Sequence, residues 1–186
     1  IRQTNQGLNF DKYPTFEKNI DPKQRAWIEV KGKALETNVR QLRSRLKNNC
    51  EFMAVVKADG YGHDAKIVSE YAIEGGASQL GVATLKEAIK LRSCGITAPI
   101  LVLGNLYTKK DLLLCFRNNL MPTVSNMREC LICNNIGKCY ALKFSLHLKV
   151  DTGMSRLGFE CNQFVQQFND IKSLENIDIK GIYSHL

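Results

Sequence analysis

The chain has 186 residues, 44% of them hydrophobic, enough to bury one sizeable core and too many for a disordered or low-complexity polymer. No apolar run approaches the roughly 18 residues of a membrane span, and residues 1–25 are too polar for a secretory signal, so a cytoplasmic chain with no membrane partner is expected. A formal net charge of +8 raises nucleic-acid binding, yet the basic residues are scattered along helix faces without interleaved aromatics, which reads as solvated surface that also attracts an anionic cofactor or substrate.

Residues 1–25 mix Asn, Gln, Lys and Asp with Pro14 and Pro22 and show no sustained period; they are expected to be a flexible leader ahead of one domain over 26–186. The chain does not open on methionine, which points to a fragment or a trimmed product. Trp27, Ile28 and Val30 make a short strand. Leu35, Val39, Leu42 and Leu46 then fall on one helical stripe, with Arg40, Arg43, Arg45 and Lys47 facing away. A strand from Phe52 to Lys57 follows, then a helix from Ala65 to Glu74 closed by Gly75-Gly76. Leu80–Thr84 is a strand, and Thr84 with Glu87 has the spacing of a capping box that opens the next helix.

Ile100–Gly104 is continuously apolar, as in a parallel strand covered on both faces. Thr108 and Asp111 repeat the hydroxyl-to-carboxylate spacing, with Leu112, Leu113, Cys115 and Phe116 as the buried side of that helix. Met121–Ser125, Phe144–Val150 and Ile179–His185 complete the strands, with helices from about Asn126 and Cys161 between them. From Phe52 onward, strands and helices alternate through short connections, which argues for a parallel sheet with helices outside it. A barrel and a doubly wound open sheet both satisfy that pattern. In either, chemistry belongs at the carboxyl ends of strands, where Lys57, Arg156 and His185 fall.

Lys57 stands where an apolar strand meets a glycine-broken turn, Val55-Val56-Lys57-Ala58-Asp59-Gly60-Tyr61-Gly62-His63-Asp64. Burial there favours a neutral amine able to attack a carbonyl carbon, although composition alone would make it a surface charge. The second segment runs Lys149-Val150-Asp151-Thr152-Gly153-Met154-Ser155-Arg156-Leu157-Gly158-Phe159. Its glycines let backbone approach a ligand, and Arg156 offers a donor fork suited to a phenolate or carboxylate, or to a salt bridge on the rim. Both strings resemble those of the alanine racemase family, as does Gly181-Ile182-Tyr183-Ser184-His185-Leu186.

The resemblance implies the N-terminal part of a (β/α)8 TIM barrel, about six of its eight βα units, binding pyridoxal 5'-phosphate and interconverting L-alanine and D-alanine. It gives Lys57 the roles of covalent cofactor anchor and one of two catalytic bases. Tyr61 is placed by the phosphate, Arg156 at the phenolic oxygen and the substrate carboxylate, and His185 against the pyridine ring. Lys149 matches a lysine that orients the arginine and is carbamylated in some members. The rest of the barrel and a C-terminal β domain, which supplies a tyrosine base across a homodimer interface, have no counterpart here, so these 186 residues alone are expected to be inactive. Racemisation of another or broader set of amino acids is the alternative, and a non-catalytic cofactor-binding fragment a further one. Seven cysteines, an odd number, read as reduced thiols, and Cys130, Cys133 and Cys139 as helical packing residues with no metal expected. His63 and His147 read as structural.

Overall fold

The computed structural model describes residues 28–185 and the backbone of Arg2 and Gln3. The expected leader otherwise lies outside the described residues, as does Trp27. Short β1 (Arg2–Gln3) pairs in parallel with β2 (Glu29–Val30), which leads into α1 (Gly32–Ser44). The leucine stripe expected on α1 is only partly covered. Leu35 and Val39 are half-buried and Leu42 is exposed, whereas Gly32 and Glu36 are buried. The helix packs on α3 (Ala65–Glu74), and Gly75 lets Val39 and the Glu36 backbone come close. Glu36 can be buried because Lys33 Nζ and Arg40 Nε donate to its two oxygens at 2.7 and 2.9 Å.

The remaining elements are β3 (Met53–Val55), α2 (Lys57–Tyr61), β4 (Gln79–Val82), α4 (Leu85–Ser93), β5 (Ile100–Asn105) and α5 (Lys109–Arg117). They continue with β6 (Leu120–Val124), α6 (Met127–Tyr140), β7 (Phe144–Asp151), β8 (Phe159–Glu160), α7 (Cys161–Lys172) and β9 (Ile177–Tyr183). The helix starts behave as their sequences require. Asp64, Thr84, Thr108 and Asn126 each accept a backbone N–H of the first turn, and Thr84 with Glu87 forms the full capping box.

The long strands are hydrogen-bonded in the order β3-β4-β5-β6-β7-β9, every pair parallel. A doubly wound sheet must reverse its order at a switch point. Here each strand is added on the same side as the last, which is the curl of a barrel, and the sheet is an incomplete one. The core lies between the outward strand faces and the helices. Leu80, Val82, Ile100 and Val102 pack with Ala88 and Leu91, while Phe144, Leu146 and Leu148 pack with Cys130, Cys133 and Ile171. Among the described residues no helix is long and apolar enough to cross a membrane.

Alternation along β7 sends Ser145, His147 and Lys149, all polar, to the other face, the barrel lumen. His147 is 8% exposed and Lys149 4%. Opposite them the register shifts between Leu146 and His147, so that Ile179 pairs with Leu146 but Gly181 with His147, and the skipped Lys180 is exposed. A Cβ at Gly181 would lie 2.6 Å from the His147 ring. Gly181→Ala is therefore expected to lower unfolding free energy by about 1–3 kcal/mol through overpacking. Urea denaturation checks this, and an unchanged midpoint would mean that the ring moves aside freely.

Candidate active site

The strand expected to reach Lys57 stops at Val55, and Lys57 instead opens α2, a single turn with an unusual backbone. Ala58, Asp59, Gly60 and Tyr61 have φ of 52, 54, 64 and 54°, a left-handed turn. For the three residues with side chains this costs about 1–2 kcal/mol each, so the surroundings must hold it. The Val56 amide continues the sheet ladder to Gly81 O at 2.8 Å, and the turn closes on itself through Gly60 N to Val56 O (3.0 Å) and Gly62 N to Ala58 O (3.1 Å). The Ala58 amide leaves the turn and donates to Glu87 Oε1 of α4 at 2.7 Å.

Asp59 Oδ1 accepts from Lys90 Nζ at 3.1 Å and from the Ala65 amide at 3.4 Å. The Lys90 bond, then the amide, holds the Asp59 carboxyl below its usual range. Lys57 emerges half-buried and Tyr61 59% exposed. His63 keeps the structural place expected of it, with Nδ1 3.1 Å from Gly60 O and 3.0 Å from Tyr61 O.

Across the rim, the loop after β7 goes out and returns to pair Phe159 with Val150. Asp151 Oδ1 accepts from the Gly153 and Ser155 amides at 2.9 and 3.0 Å, and these backbone donors hold its carboxyl below the usual range. Gly158, at φ 135°, closes the loop where a Cβ would sit 2.5 Å from the Asp151 nitrogen. From the lumen, Lys149 Nζ donates to Leu157 O at 2.6 Å. Arg156 stands exposed on this loop, with no carboxylate in salt-bridge range among the described residues. Thr152 Oγ1 lies 2.6 Å from Ser184 Oγ, tying the loop to the end of β9, beside exposed His185.

Arg156 and His185 therefore share adjacent strand ends, and Lys57 with Tyr61 occupies the same rim on the β3 side. Among the described residues no hydrogen bond or ion pair joins the two groups. Sequence reasoning passed over Tyr183, whose hydroxyl lies 2.8 Å from Thr123 Oγ1 inside the lumen. Burial raises its phenol, opposed by the Thr123 bond and the charge of Arg156. Plain alternation along β9 would set Tyr183 on the face of Ile177 and Ile179, and the register shift opposite His147 turns it into the lumen. Cys130 and Cys133 are buried packing residues as expected, whereas Cys139 is exposed; all seven cysteines are free, and burial pushes Cys115, Cys130 and Cys133 up to about 12.

Asp59 and Asp151 of the rim turns are thus engaged by local donors, which leaves Lys57 and Arg156 at the rim without acidic partners among the described residues. Sequential parallel strands with that amine and guanidinium at their carboxyl ends define a (β/α)-barrel domain suited to an anionic ligand. Residues 30–186 match the family model described as "Alanine racemase, N-terminal domain", and the chain belongs to that family. It is 51% identical to an alanine racemase of Prochlorococcus marinus over 90% of its own length and 43% of that protein's. The alanine racemase of Clostridium difficile 630 superposes with a TM-score of 0.77 at 33% identity, covering 83% of this chain and 42% of that one. A histidine racemase of Leuconostoc mesenteroides gives 0.74 at 26% identity, over 83% and 41%. The chain spans less than half the length of these relatives.

His147 supplies a pH test of the lumen. Burial pushes its imidazole below the usual value, and Nε2 has no hydrogen-bond partner among the described residues. The unfolded chain takes up the proton near pH 6.5 and the folded one only at lower pH. The stability tied to a neutral His147 is thus complete above about pH 6.5 and is lost as pH falls towards the depressed folded value. Denaturation of the parent and His147→Asn at pH 8 and pH 5.5 should show a smaller acid loss in the variant. Equal losses would assign the acid sensitivity elsewhere.

Proposed function

We propose that this chain is the cofactor-anchoring barrel portion of a cytoplasmic, homodimeric alanine racemase that uses pyridoxal 5'-phosphate. The observation that carries the reading is the rim itself: a left-handed turn presents Lys57, a tied-down loop presents Arg156, and the nearby acids are spent on backbone and Lys90. The donor set fits the cofactor, since an amine can hold its aldehyde and a guanidinium can pair with its phenolic oxygen. Bound there, the cofactor would supply a conjugated ring that accepts electrons and acidifies the α-proton of an amino acid.

Lys57 would hold the aldehyde and, as a free amine, would move a proton at Cα on one face. Arg156 would hold the phenolic oxygen and the substrate carboxylate, with its loop held by the Lys149 bond to Leu157. Tyr61 would help to hold the phosphate and His185 the pyridine ring. The opposite face of Cα needs a second base, which the family resemblance assigns to a tyrosine of a C-terminal β domain delivered across the dimer. Alanine is favoured as substrate by the names of the most similar relatives. The likeness to a histidine racemase keeps a racemase of different amino-acid range as the second reading.

In the complete gene product, borohydride reduction in the presence of cofactor followed by peptide mapping should place the label on Lys57, and chiral chromatography should find D-alanine formed from L-alanine. Label on another lysine would sink the assignment. Arg156→Lys keeps the charge but loses the paired donors, and kcat/KM is expected to fall about tenfold or more. Unchanged kinetics would put Arg156 outside the site.

A further inference from the structure

We propose that Glu87 is a positioning residue for Lys57, a latch that refers the left-handed turn to the barrel core; the role rests on Lys57 being the cofactor anchor. A capping-box glutamate ordinarily satisfies the amide at the start of its own helix. Glu87 does this with Oε2, which accepts from the Ala83 and Thr84 amides at 2.8 and 2.9 Å. Its other oxygen, Oε1, accepts at 2.7 Å from Ala58, the residue after Lys57 and the first of the left-handed run. One carboxylate thus binds three amides from two successive βα units, all charge-assisted.

Ala58 N–H is the amide that fixes how Lys57 leaves the sheet, and Glu87 is its acceptor. The helix behind Glu87 is fixed by Ala88 and Leu91, 0 and 1% exposed, so the latch transmits the position of the core. A second tie from the same helix, Lys90 to Asp59, joins side chains 65 and 54% exposed and is a weak constraint by comparison.

Glu87→Gln keeps the shape but replaces one oxygen with a donor, so either Ala58 or the Ala83–Thr84 pair faces an amide that cannot accept. Thr84→Ala is the control: it removes the cap oxygen that Glu87 N–H binds at 3.2 Å and leaves the carboxylate bridge in place. Both are compared in the complete gene product by hydrogen exchange over residues 56–62 without cofactor, by the rate of borohydride-trapped labelling at Lys57, and by thermal midpoint. Glu87→Gln should speed exchange at Ala58 and slow labelling by about tenfold each. Thr84→Ala should leave both within about twofold even where its midpoint falls as far.

Unchanged exchange in Glu87→Gln overturns the latch and leaves the functional reading intact, and Thr84→Ala reproducing both effects overturns it as mere helix destabilisation. If the unsubstituted protein takes no cofactor at Lys57, the functional reading fails, and the positioning role fails with it.

Discussion

Left-handed backbone at Ala58, Asp59 and Tyr61 is the constraint on which the site depends, because of the three side chains only Asp readily tolerates it and, beyond the turn's own two hydrogen bonds, the ties that hold it come from neighbouring elements. The ladder from Val56 to Gly81 fixes where the turn begins, the Glu87 carboxylate fixes its first amide, and Asp59 holds the start of α3 through Ala65. Removing the turn would let β3 run on in the extended form that sequence alone implies. Alternation would then set successive side chains on opposite faces of the sheet, in place of a compact presentation of Lys57 at the rim. The strain of a few kcal/mol is offset by bonds that exist only when β3, β4 and α4 are assembled, which couples the shape of the site to completion of that part of the barrel.

The opposite side of the rim is held by a different device. Lys149 is 4% exposed, and its Nζ has a carbonyl 2.6 Å away and the Tyr183 ring centroid at 6.0 Å. A lysine so placed gives up hydration for a short list of partners, and it persists because the lumen around it is polar, with Thr123, His147 and Tyr183 in the neighbourhood. Its bond to Leu157 O acts next to Arg156. The loop therefore leans on the barrel interior at one side and on Asp151 and Gly158 at the other. Arg156 is left exposed on a backbone whose own polar groups are largely engaged.

Much of the architecture was legible in the sequence because it rests on local rules. The helix from Ala65 to Glu74 has its expected bounds, Thr84, Thr108 and Asn126 cap where their spacing says, and the strands fall within a few residues of their apolar runs. What escaped depended on distant partners. Asp59-Gly60 and Gly62 advertise a turn, but nothing in Ala58 or Tyr61 advertises positive φ, so the sequence pattern carries the strand on to Lys57. The Leu42 stripe misled because α1 is covered on one side by α3, and burial was decided by Gly32 and Glu36. Strand order, which periodicity left open between barrel and open sheet, is a property of the pairing itself. For the site, Lys57 and Arg156 are candidates through family-like strings, whereas Tyr183 needed the register shift opposite His147 to be seen.

Glu87 also shows why side-chain length matters at the rim. At the same position of α6, Glu129 accepts the Ser125 amide at 2.8 Å through Oε2, and through Oε1 accepts Asn126 Nδ2 at 2.9 Å and Asn105 Nδ2 at 2.7 Å, reaching the end of β5. In α5 that position is Asp111, one methylene shorter, and its carboxylate accepts from its own cap hydroxyl, Thr108 Oγ1, at 2.7 Å. Both start with the N-cap exchange of a helix terminus, but the longer acid has an oxygen left for the preceding unit. The rim is consequently stitched by carboxylates in pairs, β3 to β4 and β5 to β6, while β4 and β5 meet there through the backbone bond from Gly104 to Ala83 at 3.1 Å. A glutamate in the first turn of a barrel helix is thus both a cap and a crosslink. Spacing in the sequence reveals the first role, and the second requires the neighbouring strand end to be in place.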